Sequence, residues 1–497
     1  MRTYLFTYCV ALIIATGLTP WVIGWARKRD LVDVPDARKI HERPIARLGG
    51  MAIFAATMLA VIPLLWLNNS LGEAFRGQWL KIVCMLVASA LIFATGLCDD
   101  LKGLRVRTKL VAQFAAAGMV CLAGIHIDKI VVKDLVILDL GRLSWMFTFL
   151  WIIGVTNAVN LIDGLDGLAG GICAIACGAI ATLALLQGNA VLALIMLALF
   201  GSLTGFLLFN FYPARVFMGD CGSLFLGFMV AVASVLTTAK SETLIGFGLP
   251  VLVLGIPIFD TLLSILRRFL NRRGIMSPDR GHFHHRLLDC GFKQQHVAVI
   301  AYLVTAAAAG IGLLMLLTPG ESSLAVFLLG LVAILLVFRA IGSVALRKTL
   351  QGIRDRIKLA QTQHSEQRKY QESDMAFRTV KDLEQYCRCM CKAAEAFDFA
   401  KLSLEMNRNG SSQKIFDWQS RHSGNTRNTV AQSHAEWNCQ EDLLEMSVPV
   451  KSTLHGHNGR LSMHIRKNGS LESAGRRAAL FARLADEHGL ESDWACA

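Results

Sequence analysis

Asn157-Ala158-Val159-Asn160-Leu161-Ile162-Asp163-Gly164-Leu165-Asp166-Gly167-Leu168-Ala169-Gly170-Gly171 joins two long apolar runs, 143–160 and 168–187. A helix needs about 20 residues to cross the ~30 Å hydrocarbon layer of a bilayer, so both runs read as membrane spans with a polar turn between them. At the helix end Asn160, Asp163 and Asp166 recur every three residues and share a face. The glycines around them let backbone and ligand approach closely. Oxygen donors with no basic neighbour suit a hard cation such as Mg²⁺. The string resembles part of a calcium loop but lacks its spacing and closing glutamate, and a plain polar turn is the alternative reading.

Nine more apolar runs lie outward from this turn, near 4–24, 48–67, 81–98, 109–127, 190–209, 222–239, 243–266, 296–317 and 322–340, which makes eleven in all. The first lacks a small-residue cleavage site and reads as a retained span rather than a signal peptide. Composition agrees with a many-span body. Of 497 residues 54% are hydrophobic and 18% charged, and mean hydropathy is +0.47. This excludes a disordered chain or a simple soluble domain, which carries roughly 25% charged residues. The net charge of +13 divides into +9 over residues 1–346 and +4 over 347–497.

If the spans alternate, loops 25–47, 99–109, 161–167, 210–221 and 267–295 share one side and hold 19 Lys and Arg, against 5 in the opposite loops. Positive loops stay in the cytoplasm, so the first set is expected there, with the N-terminus outside and the C-terminal tail inside. The unusual polar residues collect in the same loops. Pro35–His41, with Lys39 and His41, leads to Arg47-Leu48-Gly49-Gly50 and reads as a topological anchor or an anion site. Asp99 and Asp100 are adjacent at the foot of the third span, which implies a cation, a proton acceptor or full hydration. Lys109 and Gln113 follow one helical turn apart, where a lysine can hold a phosphate. Phe209–Ser223 contains Arg215 and the lone carboxylate Asp220 between glycines, a setting that suits a metal ligand. Its aromatics fit an interfacial belt equally well. His282-Phe283-His284-His285-Arg286 combines imidazoles and guanidinium groups, as a phosphate or pyrophosphate site would, with zinc as the competing reading.

Acids for a divalent cation and bases for phosphates on one membrane face point to phosphoryl transfer from a water-soluble nucleotide donor to a lipid phosphate. Neither a Walker loop nor a Ser-His nucleophile pattern is present in the sequence. Together, Pro35–Gly50, Asp99-Asp100, Asn160–Gly171, Phe209–Ser223 and His282–Arg286 resemble the polyprenyl-phosphate N-acetylhexosamine-1-phosphate transferases, glycosyltransferase family 4, over roughly residues 1–340. The His282-x-His284-His285-Arg286 form is similar to the branch that moves GlcNAc-1-phosphate from UDP-GlcNAc to undecaprenyl phosphate, rather than the phospho-MurNAc-pentapeptide branch.

The resemblance implies an all-α polytopic membrane enzyme of the bacterial inner membrane that initiates lipid-linked cell-surface glycan synthesis. It implies Mg²⁺, or Mn²⁺, as cofactor. Asp99, Asp100 and Asp163 are expected to serve the reaction centre. Asp220 and Asn160, with Asp163, would hold the ion and the UDP pyrophosphate. Lys109, Asp166, Arg215, His282, His284, His285, Arg286, Lys39 and His41 would meet substrate. Direct attack by the lipid phosphate is favoured over a covalent aspartyl adduct, because Mg²⁺ and bases suffice to stabilise the phosphoryl charge. Partners are undecaprenyl phosphate, a UDP-N-acetylhexosamine, the bilayer, downstream glycosyltransferases and, as a candidate, a second copy of the chain; nucleic acid is not expected. Ala46 and Cys221 stand where the family often has proline and a small hydroxyl residue or alanine.

Three parts are expected: a transmembrane catalytic domain at 1–343, a helical stalk at 344–400 and an α+β accessory domain at 401–497. Strands are expected over 442–451 and 459–466, with helices over 382–399 and 472–488. The 13 cysteines suggest no disulfide framework, and Cys387-x-Cys389-x-Cys391 splays around a helix rather than converging on zinc. An anionic-solute transporter is the rival function. It predicts charges at the bilayer midplane, whereas these lie at one face.

Overall fold

The computed structural model describes residues 2–33, 44–132, 136–240, 245–270, 281–318, 321–408, 411–420, 443–450, 458–467 and 471–489. Lys39 and His41 lie outside them. The chain divides into two compact units, Met1–Leu350 and Gln351–Ala497.

In the first unit α1 (Arg2–Lys28) leads through short strands β1 (Val32–Asp33) and β2 (Ile45–Ala46) to α2 (Gly50–Val61) and α3 (Ser70–Gly77). Then come α4 (Trp79–Lys102), α5 (Val106–Leu122), a hairpin of β3 (Lys129–Val132) and β4 (Val136–Asp139), and α6 (Ser144–Ile162). The body is completed by α7 (Leu168–Leu186), α8 (Ala190–Asn210), α9 (Gly219–Lys240), α10 (Ile245–Val253), α11 (Gly255–Leu270), α12 (Phe283–Asp289), α13 (Gln294–Leu314) and α14 (Glu321–Phe377). Among the described residues eight helices are long and apolar enough to cross a membrane, and up to ten spans result if two bent pairs each count as one. Eleven were expected. The difference is α5, which has 17 residues and opens on Arg107 and Lys109.

Both bends have a local cause. The run at 48–67 continues to Trp66, and the chain then turns by 102° into α3, where Asn69 caps α3 by accepting Gly72 N–H at 2.9 Å. The run at 243–266 turns by 70° between α10 and α11. There Pro257 lacks the N–H that would bond the Val253 carbonyl.

Small residues set how closely the helices approach, as expected where dispersion rather than water exclusion holds helices together. A methyl group at Gly201 or Gly205 would lie 2.3 Å from Tyr8 O or 2.6 Å from Leu12 O, so α8 seats α1 backbone to backbone. The same device places the start of α9. Gly50 faces Gly222 N at 2.3 Å and Gly96 faces Asp220 O at 2.5 Å by the same measure, wedging α9 between α2 and α4. The segment before it is stitched to the first loop, Phe217 N–H to Ala46 O at 2.9 Å and Gly50 N–H to Met218 O at 2.8 Å. Ala46 and Cys221 are fully buried in this joint. Nearly all of α9 (94% of its span) is enclosed by other helices, so it forms the axis of the body.

In the second unit the end of α14, α15 (Leu383–Ala396) and α16 (Leu471–Glu487) accompany a four-stranded antiparallel sheet of order β6-β5-β8-β7. Its strands are β5 (Phe399–Arg408), β6 (Ser411–Gln419), β7 (Leu443–Val450) and β8 (Asn458–Arg466). Tyr370, Phe377, Tyr386, Phe397, Leu402, Leu404, Leu461, Met463 and Phe481 share one core, so helix and sheet fold together here. The last two strands and both helices lie where expected. The hairpin β5–β6 was not anticipated, because Lys401, Glu405, Lys414 and Asp417 break its apolar alternation into a mixed pattern.

Candidate active site at the helix ends

Gly103, at φ +67°, ends α4 directly after the pair Asp99-Asp100. The chain reverses into α5, one turn into which Lys109 returns to the pair. Its Nζ lies 2.7 Å from Asp99 Oδ2 and 3.0 Å from Asp220 Oδ2, so one ammonium joins carboxylates from α4 and α9. The Leu104 N–H donates to Asp99 Oδ1 at 2.5 Å. Asp100 is held differently. It accepts the backbone N–H groups of Asp220 and Cys221, each at 2.9 Å, and so caps the first turn of α9 from another helix. Gly219, at φ +71°, makes room: a methyl group there would lie 2.6 Å from Asp100 Oδ2.

Asn160, in the last turn of α6, donates its Nδ2 to Asp220 Oδ1 at 3.1 Å and to Ser223 Oγ at 2.8 Å. Gln113 pairs instead with Asn157, one turn further back. Asp163 follows α6 directly. It keeps some accessible surface, although protein surrounds it. Burial and the charges of Asp220, Asp100 and Asp166 push its carboxyl up to about 8, and no hydrogen bond relieves it. Asp166 ties loops together, accepting Ala214 N–H at 2.9 Å. Asn210 accepts Gly167 N–H at 3.1 Å and donates to Val216 O at 2.8 Å, while Tyr302 Oη donates to Gly167 O at 2.6 Å. Arg215 is exposed on the adjoining loop.

The histidine segment reaches the same acidic loop. His284 is 3% exposed, and a methyl group at Gly164 would lie 2.8 Å from its Nε2. Burial, with the charges of His285 and His282 outweighing Asp260, pushes its imidazole down to about 4, so it is neutral near pH 7. Its Nδ1 is enclosed without a hydrogen-bond partner. His282 stacks parallel to it with ring centroids 5.9 Å apart. His285 and Arg286 are half-buried on the same short helix α12.

Thus Asp99, Asp100, Lys109, Asn160 and Asp220 form one bonded cluster, with Asp163 crowded against it electrostatically. The loop of Asp163 and Asp166 meets His284. Sequence reasoning missed Asp260, a buried acid on α11 whose Oδ2 lies 2.9 Å from His282 Nδ1 and whose Oδ1 accepts Phe283 N–H at 2.7 Å. A lone carboxylate inside the apolar run 243–266 was the available signal.

Among the described residues no three Asp, Glu, His or Cys side chains converge on one metal position. The donor chemistry still fits a hard cation. Asp163 is an unrelieved carboxylate crowded by three others, among them Asp220, to which the Asn160 amide is bonded.

The family description "Glycosyl transferase family 4" matches residues 82–238, a stretch that includes every residue of the acidic cluster. A probable undecaprenyl-phosphate N-acetylglucosaminyl 1-phosphate transferase of Bacillus subtilis (strain 168) is 37% identical over 298 residues, covering 60% of this chain and 80% of that protein. A decaprenyl-phosphate N-acetylglucosaminephosphotransferase of Mycolicibacterium smegmatis is 34% identical, covering 63% and 82%. An undecaprenyl-phosphate alpha-N-acetylglucosaminyl 1-phosphate transferase of Yersinia pestis is 28% identical, covering 66% and 87%. With the acidic cluster seated at the helix ends inside the matched region, the chain belongs to glycosyl transferase family 4, in the group of polyprenyl-phosphate N-acetylhexosamine-1-phosphate transferases.

Proposed function

We propose that the protein transfers GlcNAc-1-phosphate from UDP-GlcNAc to undecaprenyl phosphate and releases UMP, the first committed step of a lipid-linked glycan that downstream glycosyltransferases extend. The observation that carries this reading is Lys109 bridging Asp99 and Asp220, which joins anion-binding and cation-binding groups at one membrane face. The positive loops favour the cytoplasmic face of the bacterial inner membrane, where UDP-sugars are available.

In this reading Asp163, Asp220 and the Asn160 amide oxygen would hold Mg²⁺, which when bound would neutralise charge on the donor pyrophosphate. Lys109 meets a phosphate oxygen, Asp99 orients the lipid phosphate through that lysine, and Asp100 keeps Asp220 in place. Arg215 and the His282–Arg286 segment receive the nucleotide. An oxygen of the lipid phosphate attacks the phosphorus that bears the sugar, and the P–O bond to UMP breaks as UMP leaves. Direct attack is supported by the engagement of the alternative nucleophiles: both Asp100 oxygens accept backbone N–H groups, and Asp99 is held by Leu104 and Lys109. A covalent aspartyl adduct would have to break those bonds first.

Membranes that contain the protein should convert UDP-GlcNAc and undecaprenyl phosphate into a lipid-linked sugar and UMP, and chelation of divalent ions should stop the reaction. Absence of UMP release across a panel of UDP-N-acetylhexosamines would overturn the reading.

A further inference from the structure

Asp260 lies on α11 with 3% of its surface exposed, inside a helix whose other face carries Leu262, Ile265, Leu266 and Phe269 outward. Burying a carboxylate there costs several kcal/mol unless hydrogen bonds compensate. Both of its bonds go to the entry of α12. Oδ1 accepts Phe283 N–H at 2.7 Å, the first backbone N–H of that helix, and Oδ2 takes His282 Nδ1 at 2.9 Å. A carboxylate can only accept, so the hydrogen lies on His282 Nδ1 and leaves Nε2 to face elsewhere.

Anchoring α12 does not by itself require an acid. Phe283 already packs on Phe338 with centroids 5.4 Å apart, and Phe259, next to Asp260, packs on the same ring at 6.1 Å. What the apolar contacts cannot do is choose the imidazole's hydrogen. From His282 the arrangement continues to the parallel ring of His284, and from there to Gly164 in the acidic loop.

We propose that Asp260 is a positioning residue for donor binding: it fixes His282 with its hydrogen on Nδ1 and seats the short helix α12 against the Asp163–Gly167 loop. The proposal rests on the reading that the His282–Arg286 segment meets the sugar nucleotide. Asp260 itself touches no substrate. Its influence passes through His282.

The test uses the full-length protein in nanodiscs, labelled with ¹⁵N-histidine, as wild type, Asp260→Asn, His282→Asn and the double variant. Asp260→Asn keeps volume and still accepts Phe283 N–H, but its amide turns a donor toward His282. The wild type should show His282 protonated on Nδ1, and Asp260→Asn should lose that signature. KM for UDP-GlcNAc should rise roughly tenfold in each single variant, with kcat and KM for undecaprenyl phosphate within about twofold, and the double variant should be no worse than His282→Asn alone. Multiplying effects in the double variant, an unchanged KM in Asp260→Asn, or a wild-type His282 protonated only on Nε2 would overturn the proposal. A wild type that shows the signature yet neither binds UDP-GlcNAc nor releases UMP would overturn the donor reading, and the role in donor binding with it.

Discussion

The carboxylate of Asp100 closes the helix that carries Asp220: it accepts the Asp220 backbone N–H at 2.9 Å and that of Cys221 at the same distance. Helix N-termini present unbonded N–H groups and a partial positive charge, so an acid from another span makes a strong, directional lock there. The Asp220 side chain then points to Lys109 and Asn160 rather than to this lock. Two adjacent acids, Asp99 and Asp100, therefore do different work.

Asp100→Asn should retain one accepted N–H bond and oppose the other with an amide. A charge-assisted bond is worth roughly 1.5–3 kcal/mol, so kcat/KM should fall by about 10–100-fold while the protein still folds. Asp100→Ala should lose more, since both N–H groups go unpaired. UMP release in purified protein, beside a thermal melt, reads both.

Lys109→Met should leave Asp99 and Asp220 facing each other without their shared cation. Turnover should drop by more than about 100-fold, and Lys109→Arg should recover only part of it, because a planar fork cannot occupy the point between two carboxylates that an ammonium fills. Equal activity in Lys109→Met and wild type would remove the lysine from the site.

Gly50→Ala should lower the melting temperature, because the added methyl meets the Gly222 backbone at 2.3 Å and backbone cannot swing aside. Overpacking of this kind costs about 1–3 kcal/mol. Gly17→Ala, where nothing lies within 4 Å, serves as the silent control.

His284 should make stability fall in mild acid. Its folded value of about 4 lies below the ordinary 6.5, so the unfolded chain takes up the proton first. The contribution is complete above pH 6.5 and is lost as the pH falls toward 4, amounting to roughly 3 kcal/mol at most. Between pH 6.5 and 5 the Asp163 carboxyl, pushed up to about 8 in the fold, works in the opposite direction, so His284→Gln should make the melting temperature rise more steeply with acidification than in the wild type.

Hydropathy made the spans legible, because roughly 20 apolar residues in a row have few other uses. It could not reveal the turn after Trp66, the bend between α10 and α11 or the end of α5 at Leu122, since those depend on how the segments pack. The acids in the loops announced themselves by scarcity. Asp260 stood out in the same way, as one carboxylate in an apolar run, but its partner stays hidden until the loop of His282 is folded against it.

By itself, then, the sequence determined that this is a many-span membrane protein with acids and bases gathered at one face, and that a mixed α and β unit follows. Hydrophobic runs and charge position are local properties and survive without coordinates. Only the tertiary structure decided which carboxylate meets which partner. Lys109 and Asp220 are 111 residues apart and Asp100 and Cys221 121 apart, and no spacing rule connects them. Their meeting depends on how closely glycine-faced helices pack, which is a property of the assembled body rather than of any segment.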